Sequence, residues 1–362
     1  MLLASTGLLV AAEAVARRAF DPPLEPYTPH PLFHLVRTPL FKTKKISIEE
    51  PPYTFPFEIN ALGFRGKKLR TVKKPPGTYR IFFLGASTTE NQCLPEEKTF
   101  AGIVQARLDA ALQGAPNVEV ANCGLTGYGI ARSLSLIEHR ILNLEPDLIV
   151  VLDAENDMMT SLDERFDPTN ALLDVDEPNL REFVAKRSRI FALADSATTK
   201  KENDARRPFN RRRAMARGRP YHVPEGVKLD HFLEPFKAYL RWVALVCHDA
   251  RVPVVFMTQP TLWKEKHTPD EVAAMWMACF PTGKNHLPPE GAAKLMAQYN
   301  EGVKTVGAQM SVPVVDLAAS VPKDLRHFVD DAHMTAEGNV SVAEAVLATI
   351  LKDGKLIDRA SR

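Results

Sequence analysis

From Tyr79 onward, short unbroken apolar runs alternate with longer stretches whose apolar positions recur every three or four residues. The short runs are Arg80–Leu84, Val118–Ala121, Leu148–Leu152, Val252–Met257 and Val312–Val315. Continuous runs of this length, rich in β-branched residues, predict strands buried on both faces. Between them, Phe100–Leu112, Ile130–Asn143, Leu229–His248 and Gly291–Ala308 carry a helical period, and Ala336–Leu351 closes the series. Strands separated by helices predict βαβ crossovers. The expected fold is one α/β domain of the doubly wound kind over about residues 79–352, with a five-stranded, mostly parallel sheet covered on both faces.

Three stretches fall outside that rhythm. Residues 21–78 are proline-rich and contain FEINALGFRGKKL, which predicts a hairpin or arm lying on the domain. Residues 160–225 form a long insertion after the third strand. Within it, RRPFNRRRAMARGR places seven arginines between Arg206 and Arg219. Such a run is most simply a solvated surface segment, and a docking surface for anionic headgroups or an acidic polymer is the functional alternative. Residues 1–20 hold an apolar stretch, Leu2 to Ala12, that Glu13 interrupts. It is short for a membrane span and lacks the basic start of a signal peptide. A membrane anchor is preferred over an amphipathic helix packed on the domain, because Pro22 to Pro31 then reads as a tether. That preference implies a cell-envelope location, with the cytoplasm as the alternative.

Composition excludes more than it identifies. The chain of 362 residues has 45% hydrophobic and 25% charged positions and a net charge of +2, which gives no argument for nucleic-acid binding. Cys93, Cys123, Cys247 and Cys279 are widely spaced, so neither a zinc site nor a disulfide framework is expected. Cys93 lies near the end of the first strand, but a buried thiol acting as a small apolar residue explains it better than a nucleophile does.

The chemistry is concentrated where strands end, since open α/β sheets bind ligands beyond the carboxyl ends of their strands. The first strand delivers Gly85-Ala86-Ser87-Thr88-Thr89, and the second Asn122-Cys123-Gly124-Leu125-Thr126-Gly127. The third delivers Asp153-Ala154-Glu155-Asn156-Asp157, and the loop before the last helix Asp330-Asp331-Ala332-His333. A phosphate cradle of backbone amides would use the first two blocks, but the lysine-bearing phosphate-loop pattern is missing. A serine nucleophile uses all four. His333 suits the general base, an aspartate beside it fixes its tautomer, and amides and an asparagine stabilise the oxyanion.

In order and spacing, GAST, NxGxxG, ENDM and DDAH resemble the four blocks of the SGNH (GDSL-type) hydrolase superfamily. INALGFRG and VVFMTQPTLW also resemble bacterial members that carry an N-terminal membrane segment. The resemblance covers about residues 79–350. It implies a flavodoxin-like three-layer α/β/α fold and hydrolysis of acyl or acetyl esters without metal or cofactor. By position, Ser87 is implied as nucleophile, His333 as base and Asp330 as its orienting acid. The Ser87 amide, Gly127 and Asn156 are implied for the oxyanion hole, and Gly124 for the turn. Ala86 and Ala154 depart from the superfamily's GDS and GxND blocks, which puts substrate class in question more than activity. Asp331 competes with Asp330 as the orienting acid.

Simple structural roles stand beside these. Ser87 can be a helix cap, Asn156 and Asp157 can cap or turn the chain, and His333 can be a surface histidine. Arg65 and its neighbours Asn60, Gly63 and Phe64 read as part of a structural arm. The expected substrate is a small-molecule or carbohydrate ester, and nucleic acid is not an expected partner. Membrane association would run through the N-terminus. Transfer of the acyl group to an envelope polysaccharide or lipid, and a non-catalytic glycan-binding role, are the alternative functions.

Overall fold

The computed structural model describes residues 2–19, 27–30, 33–66, 68–113, 116–162, 184, 188, 190–191, 194, 230–276 and 287–352. Five strands form one sheet: β5 (Thr78–Gly85), β6 (Asn117–Asn122), β7 (Leu148–Leu152), β8 (Val254–Met257) and β9 (Val314–Val315). They follow β1 (Tyr27–His30), β2 (His34–Arg37), β3 (Lys42–Ile46) and β4 (Thr54–Glu58) of the N-terminal region. The five lie in the order β6-β5-β7-β8-β9 and every pair is parallel. Every residue of β5 and β7 is buried, as unbroken apolar runs require when helices cover both faces.

The covering helices are α3 (Phe100–Leu112), α4 (Ile130–Leu136), α6 (Leu233–Asp249), α8 (Pro289–Met310) and α10 (Ala336–Lys352). Shorter turns are α2 (Ser87–Glu90), α5 (Glu155–Thr160), α7 (Pro269–Ala274) and α9 (Leu317–Ser320). The pairs α3–α10, α6–α8 and α4–α6 pack together, giving a three-layer α/β/α fold of the expected flavodoxin-like strand order. The expected helix Ile130–Asn143 is α4 followed by a widened turn over Ile137–Ile141 and a tight one over Leu142–Leu144.

Because β5 and its neighbours β6 and β7 run the same way but the order reverses at β5, their carboxyl ends open a crevice there. Gly85 closes β5 at φ +149, and a Cβ there would stand 2.3 Å from the Leu152 carbonyl oxygen. Only glycine lets the turn after β5 tuck against the end of β7.

The N-terminal region is more ordered than one hairpin. β1 pairs with β2 and β3 with β4, both antiparallel, and Phe41, Phe55, Phe57 and Ile59 make a small core of their own. Arg65 then exchanges backbone hydrogen bonds with Asn122 at the end of edge strand β6.

The expected membrane anchor finds no support. Among the described residues, no helix is long and apolar enough to cross a membrane. Residues Leu2–Ala19 form α1, a continuous helix whose apolar run is broken by Glu13, Arg17 and Arg18. Glu13 accepts hydrogen bonds from the Ser188 hydroxyl and the Ile190 amide, both at 3.1 Å. The insertion expected at 160–225, including the Arg206–Arg219 run, lies almost wholly outside the described residues, as does Cys279.

Candidate active site

The four sequence blocks meet at the crevice. Ser87 opens α2, and its Oγ lies 2.8 Å from His333 Nε2. His333 Nδ1 lies 2.9 Å from Asp330 Oδ2 and 3.0 Å from Oδ1. A carboxylate only accepts, so Nδ1 carries the proton and Nε2 of the neutral ring faces the serine with its lone pair. Ser87 and His333 are half-buried, whereas Asp330 is fully buried.

The DxxH spacing has a local cause. Asp330 Oδ1 accepts the backbone N–H groups of Ala332 at 3.1 Å and of His333 at 2.8 Å, a side-chain-to-backbone turn typical of aspartate. Val329 N–H to the His333 carbonyl, at 2.8 Å, closes the loop, with Phe328 and Met334 bridged across it. The carboxylate is therefore aimed at its own histidine by three intervening peptide units.

Two tryptophans separate the roles of the adjacent aspartates. Trp276 Nε1 donates to Asp330 Oδ2 at 3.0 Å. Asp331 accepts from Trp263 Nε1 at 2.8 Å and from the Trp276 backbone N–H at 2.6 Å. Asp331 thus ties the loop to the segment after β8, while Asp330 faces the imidazole.

Electrostatics follow that arrangement. Burial works to raise the Asp330 pKa, but the His333 charge and hydrogen bonds from His333 and Trp276 hold it below the ordinary carboxylate value. Burial works to lower His333, yet Asp330, Glu155 and Asp331 together raise it above its ordinary value. Glu155 is itself fully buried, and burial pushes it up to about 7. Among the described residues its carboxylate has no hydrogen-bond partner.

The second block packs on the turn that carries Ser87, and the third packs on the second. Gly124 passes so close to the turn that carries Ser87 that a Cβ would meet the Glu90 nitrogen at 2.4 Å, so it serves the close approach of the two loops. Gly127, three residues on, is exposed. Asn156, in α5, donates from Nδ2 to the Tyr128 carbonyl at 2.7 Å, which leaves its second amide hydrogen. Asp157 plays a structural part, since both its oxygens accept the Ile130 N–H at the start of α4, at 3.1 and 3.2 Å. The Ser87 side chain makes no cap, since α2 has no side-chain cap bond. Ala86 and Ala154 are both buried beside these turns.

Among the described residues, no cluster of His, Cys, Asp or Glu is arranged to hold a metal ion. Cys93 is buried, and burial pushes its thiol up to about 12, the state of an inert packing residue.

The GDSL-like Lipase/Acylhydrolase family model matches residues 83–340, a span that includes all four blocks. The chain belongs to this family. As such, the GDSL-like acylhydrolase is an SGNH-type carboxylic ester hydrolase. No curated protein sequence matches it. Among solved structures, Axe2, an acetylxylan esterase from Geobacillus stearothermophilus, is similar at 17% identity and a TM-score of 0.44, covering 75% of this chain and 94% of that one. LAE5, an alpha/beta hydrolase enzyme from the metagenome of Lake Arreo, Spain, is similar at 12% identity and a TM-score of 0.43, covering 75% and 94%. The acetyl xylan esterase AlAXEase is similar at 13% identity and a TM-score of 0.43, covering 75% and 99%.

Trp276, Glu155, Glu90 and Arg37 are site or near-site residues that the motifs do not single out. Glu155 lies inside the third block without a role of its own there. Trp276 and Arg37 lie in stretches with no pattern, and only tertiary packing brings them in.

Proposed function

We propose that the acylhydrolase is a serine esterase in which Ser87, His333 and Asp330 form a catalytic triad acting on an acyl or acetyl ester. The observation that carries this reading is the unbroken hydrogen-bonded line from Ser87 Oγ through the imidazole to the buried Asp330 carboxylate. In the first step Ser87 Oγ bonds to the ester carbonyl carbon while His333 Nε2 takes the hydroxyl proton. The carbonyl π pair moves to oxygen. Three donors are assigned to that charge: the Ser87 N–H, which as first residue of α2 has no intrahelical acceptor, the Gly127 N–H, and the free hydrogen of Asn156 Nδ2.

Collapse of the intermediate breaks the bond to the alcohol oxygen, which leaves with the proton held on His333. Water then enters, gives a proton to Nε2, attacks the acyl carbon, and releases the acid as Ser87 regains its proton. Asp330 stays ionised throughout and stabilises the imidazolium. Release of p-nitrophenol from p-nitrophenyl acetate tests the assignment. Ser87→Ala is expected to lose at least about a thousandfold in kcat, and a variant with wild-type turnover sinks the nucleophile assignment.

A further inference from the structure

We propose that the N-terminal arm holds the oxyanion side of the site in place, with Arg37, Glu90 and Tyr128 acting as positioning residues for Gly127; this rests on the catalytic reading above. Gly127 stands exposed at φ +84, and no atom beyond its chain neighbours lies within 4 Å of the point where a Cβ would sit; Arg132 Nη1 donates to its carbonyl at 2.9 Å, while its N–H belongs to the peptide it shares with Thr126. Thr126 is tied to the arm through Glu90, which pairs with Arg37, and Tyr128 is tied to the arm directly while its carbonyl is held by Asn156.

On one side is Thr126. Its backbone N–H donates to Glu90 Oε2 at 3.0 Å and its hydroxyl to the same oxygen at 2.5 Å. Glu90 is three residues past the nucleophile and fully buried. An isolated carboxylate at that depth would take up a proton. Arg37, at the end of β2 and 4% exposed, forms an ion pair with the other oxygen, Oε1. Burial pulls Arg37 down to about 10, still protonated at neutral pH. Its guanidinium lies 4.5 Å from the Tyr27 ring centroid and 5.0 Å from that of Phe57, both arm residues. An ionised Glu90 is the stronger acceptor for an amide.

On the other side is Tyr128, buried to 2% exposure. Its hydroxyl donates to the Leu35 carbonyl in β2 at 2.5 Å, with the Phe33 carbonyl at 3.1 Å. A third grip steadies the turn itself. Arg65 Nη1 donates to the Glu90 and Asn91 carbonyls at 2.6 and 2.9 Å, and Nη2 to the Leu94 carbonyl at 2.9 Å. The arm thus spans the nucleophile turn and the Gly127 loop and sets their spacing. Small errors in that spacing are costly, because a misplacement of about 1 Å lowers turnover about a hundredfold.

The decisive experiment compares two double variants in which no lone buried charge remains. Arg37→Met/Glu90→Gln keeps an oxygen for Thr126, whereas Arg37→Met/Glu90→Leu does not. With p-nitrophenyl acetate, the Gln variant is expected to keep kcat within about fivefold of wild type. The Leu variant is expected to lose at least about thirtyfold in kcat, with KM changed less than about threefold and the acid limb of the pH profile unmoved. Equal kcat in the two variants overturns the proposal, because a purely structural pair would move melting temperature without separating their turnover. Should the Leu variant fail to fold, Tyr128→Phe decides. It keeps the buried ring and is expected to lose about threefold to tenfold in kcat, and wild-type turnover there overturns the proposal. Ser87→Ala runs alongside: if it retains activity, the catalytic reading has failed, whatever the arm variants do.

Discussion

Replacing Asp330 by asparagine changes one oxygen to an NH2 group and little in shape. Asp330 receives four N–H donors: the Ala332 and His333 amides, His333 Nδ1 and Trp276 Nε1. An asparagine offers one oxygen, so its NH2 must face either the tryptophan and imidazole side or the two backbone amides. With the oxygen kept by the backbone amides, NH2 meets both the Trp276 Nε1–H and His333 Nδ1, and its donation to Nδ1 favours the tautomer with the proton on Nε2. That nitrogen then points a donor at Ser87 and has no lone pair for the serine proton. With the amide flipped, two backbone donors face an NH2 in a fully buried site, and the loop itself is strained. The same substitution in the best-known serine protease triad costs about 10⁴ in kcat through the wrong tautomer. A loss of about 10³ to 10⁴ is expected here, or about 4 to 5.5 kcal/mol in the barrier. Stopped assays with p-nitrophenyl acetate from pH 5 to 9 measure it. In the wild type, Asp330 raises the His333 pKa, so activity falls as pH drops through a midpoint above the ordinary histidine value of 6.5. In Asp330→Asn that midpoint moves to lower pH. A kcat within tenfold of wild type and an unmoved acid limb would refute the reasoning and transfer the orienting role to Asp331.

Other expectations follow from the same contacts. Asn156→Ala removes one of the three proposed oxyanion donors and should cost about a hundredfold to a thousandfold in kcat with little change in KM, read by steady-state kinetics. Trp276→Phe deletes one hydrogen bond to the charged Asp330 and should lower kcat about tenfold while shifting the acid limb, a change that loss of packing alone would not produce. Arg80, fully buried with Nε 2.7 Å from Glu119 and its other nitrogens on Val72, Leu144 and Thr71 carbonyls, should act on stability alone. Arg80→Met is expected to cost about 3 to 5 kcal/mol by denaturant unfolding, with kcat preserved below the transition and partial recovery in Arg80→Met/Glu119→Gln. His327→Asn should leave esterase turnover within about threefold of wild type, whereas His333→Asn should abolish it.

The fold was legible because burial on both faces writes itself as unbroken apolar runs. All five expected strands form, and β7 has the expected limits, Leu148–Leu152. β5 gains Thr78, Tyr79 and Gly85 at its ends, where hydrogen bonding to β6 and β7 extends it beyond the apolar run. The arm was less legible. Alternation in Thr54–Glu58 is plain once known, buried at Phe55 and Phe57 and exposed between, but Pro56 argues against a strand when the segment is read alone. Its partner Lys42–Ile46 has three lysines in five residues and no apolar face to speak of. Cation–π contacts from Arg37, Lys45 and Arg65 to Phe57 give those charges a reason that no linear pattern carries.

The site divides along the same line, and the stretch before the last helix shows why. Two DxxH pairs occur there in succession, Asp324 with His327 and Asp330 with His333. Both fold into the same local device: in each, an aspartate oxygen accepts the histidine amide three residues on and lies within hydrogen-bond reach of its Nδ1. Spacing therefore specifies an oriented Asp–His pair in both places and cannot rank them. What separates the pairs is long-range. The Asp324 side chain is 44% exposed, so water screens its hold on His327, while Asp330 is fully buried and bonded by a tryptophan 54 residues away. His333 Nε2 meets a serine 246 residues away. Only the order of the four blocks along a sheet whose strands end together favours the second pair over the first. That order carries the sequence-level case for a catalytic centre, and a lone histidine–aspartate motif would not.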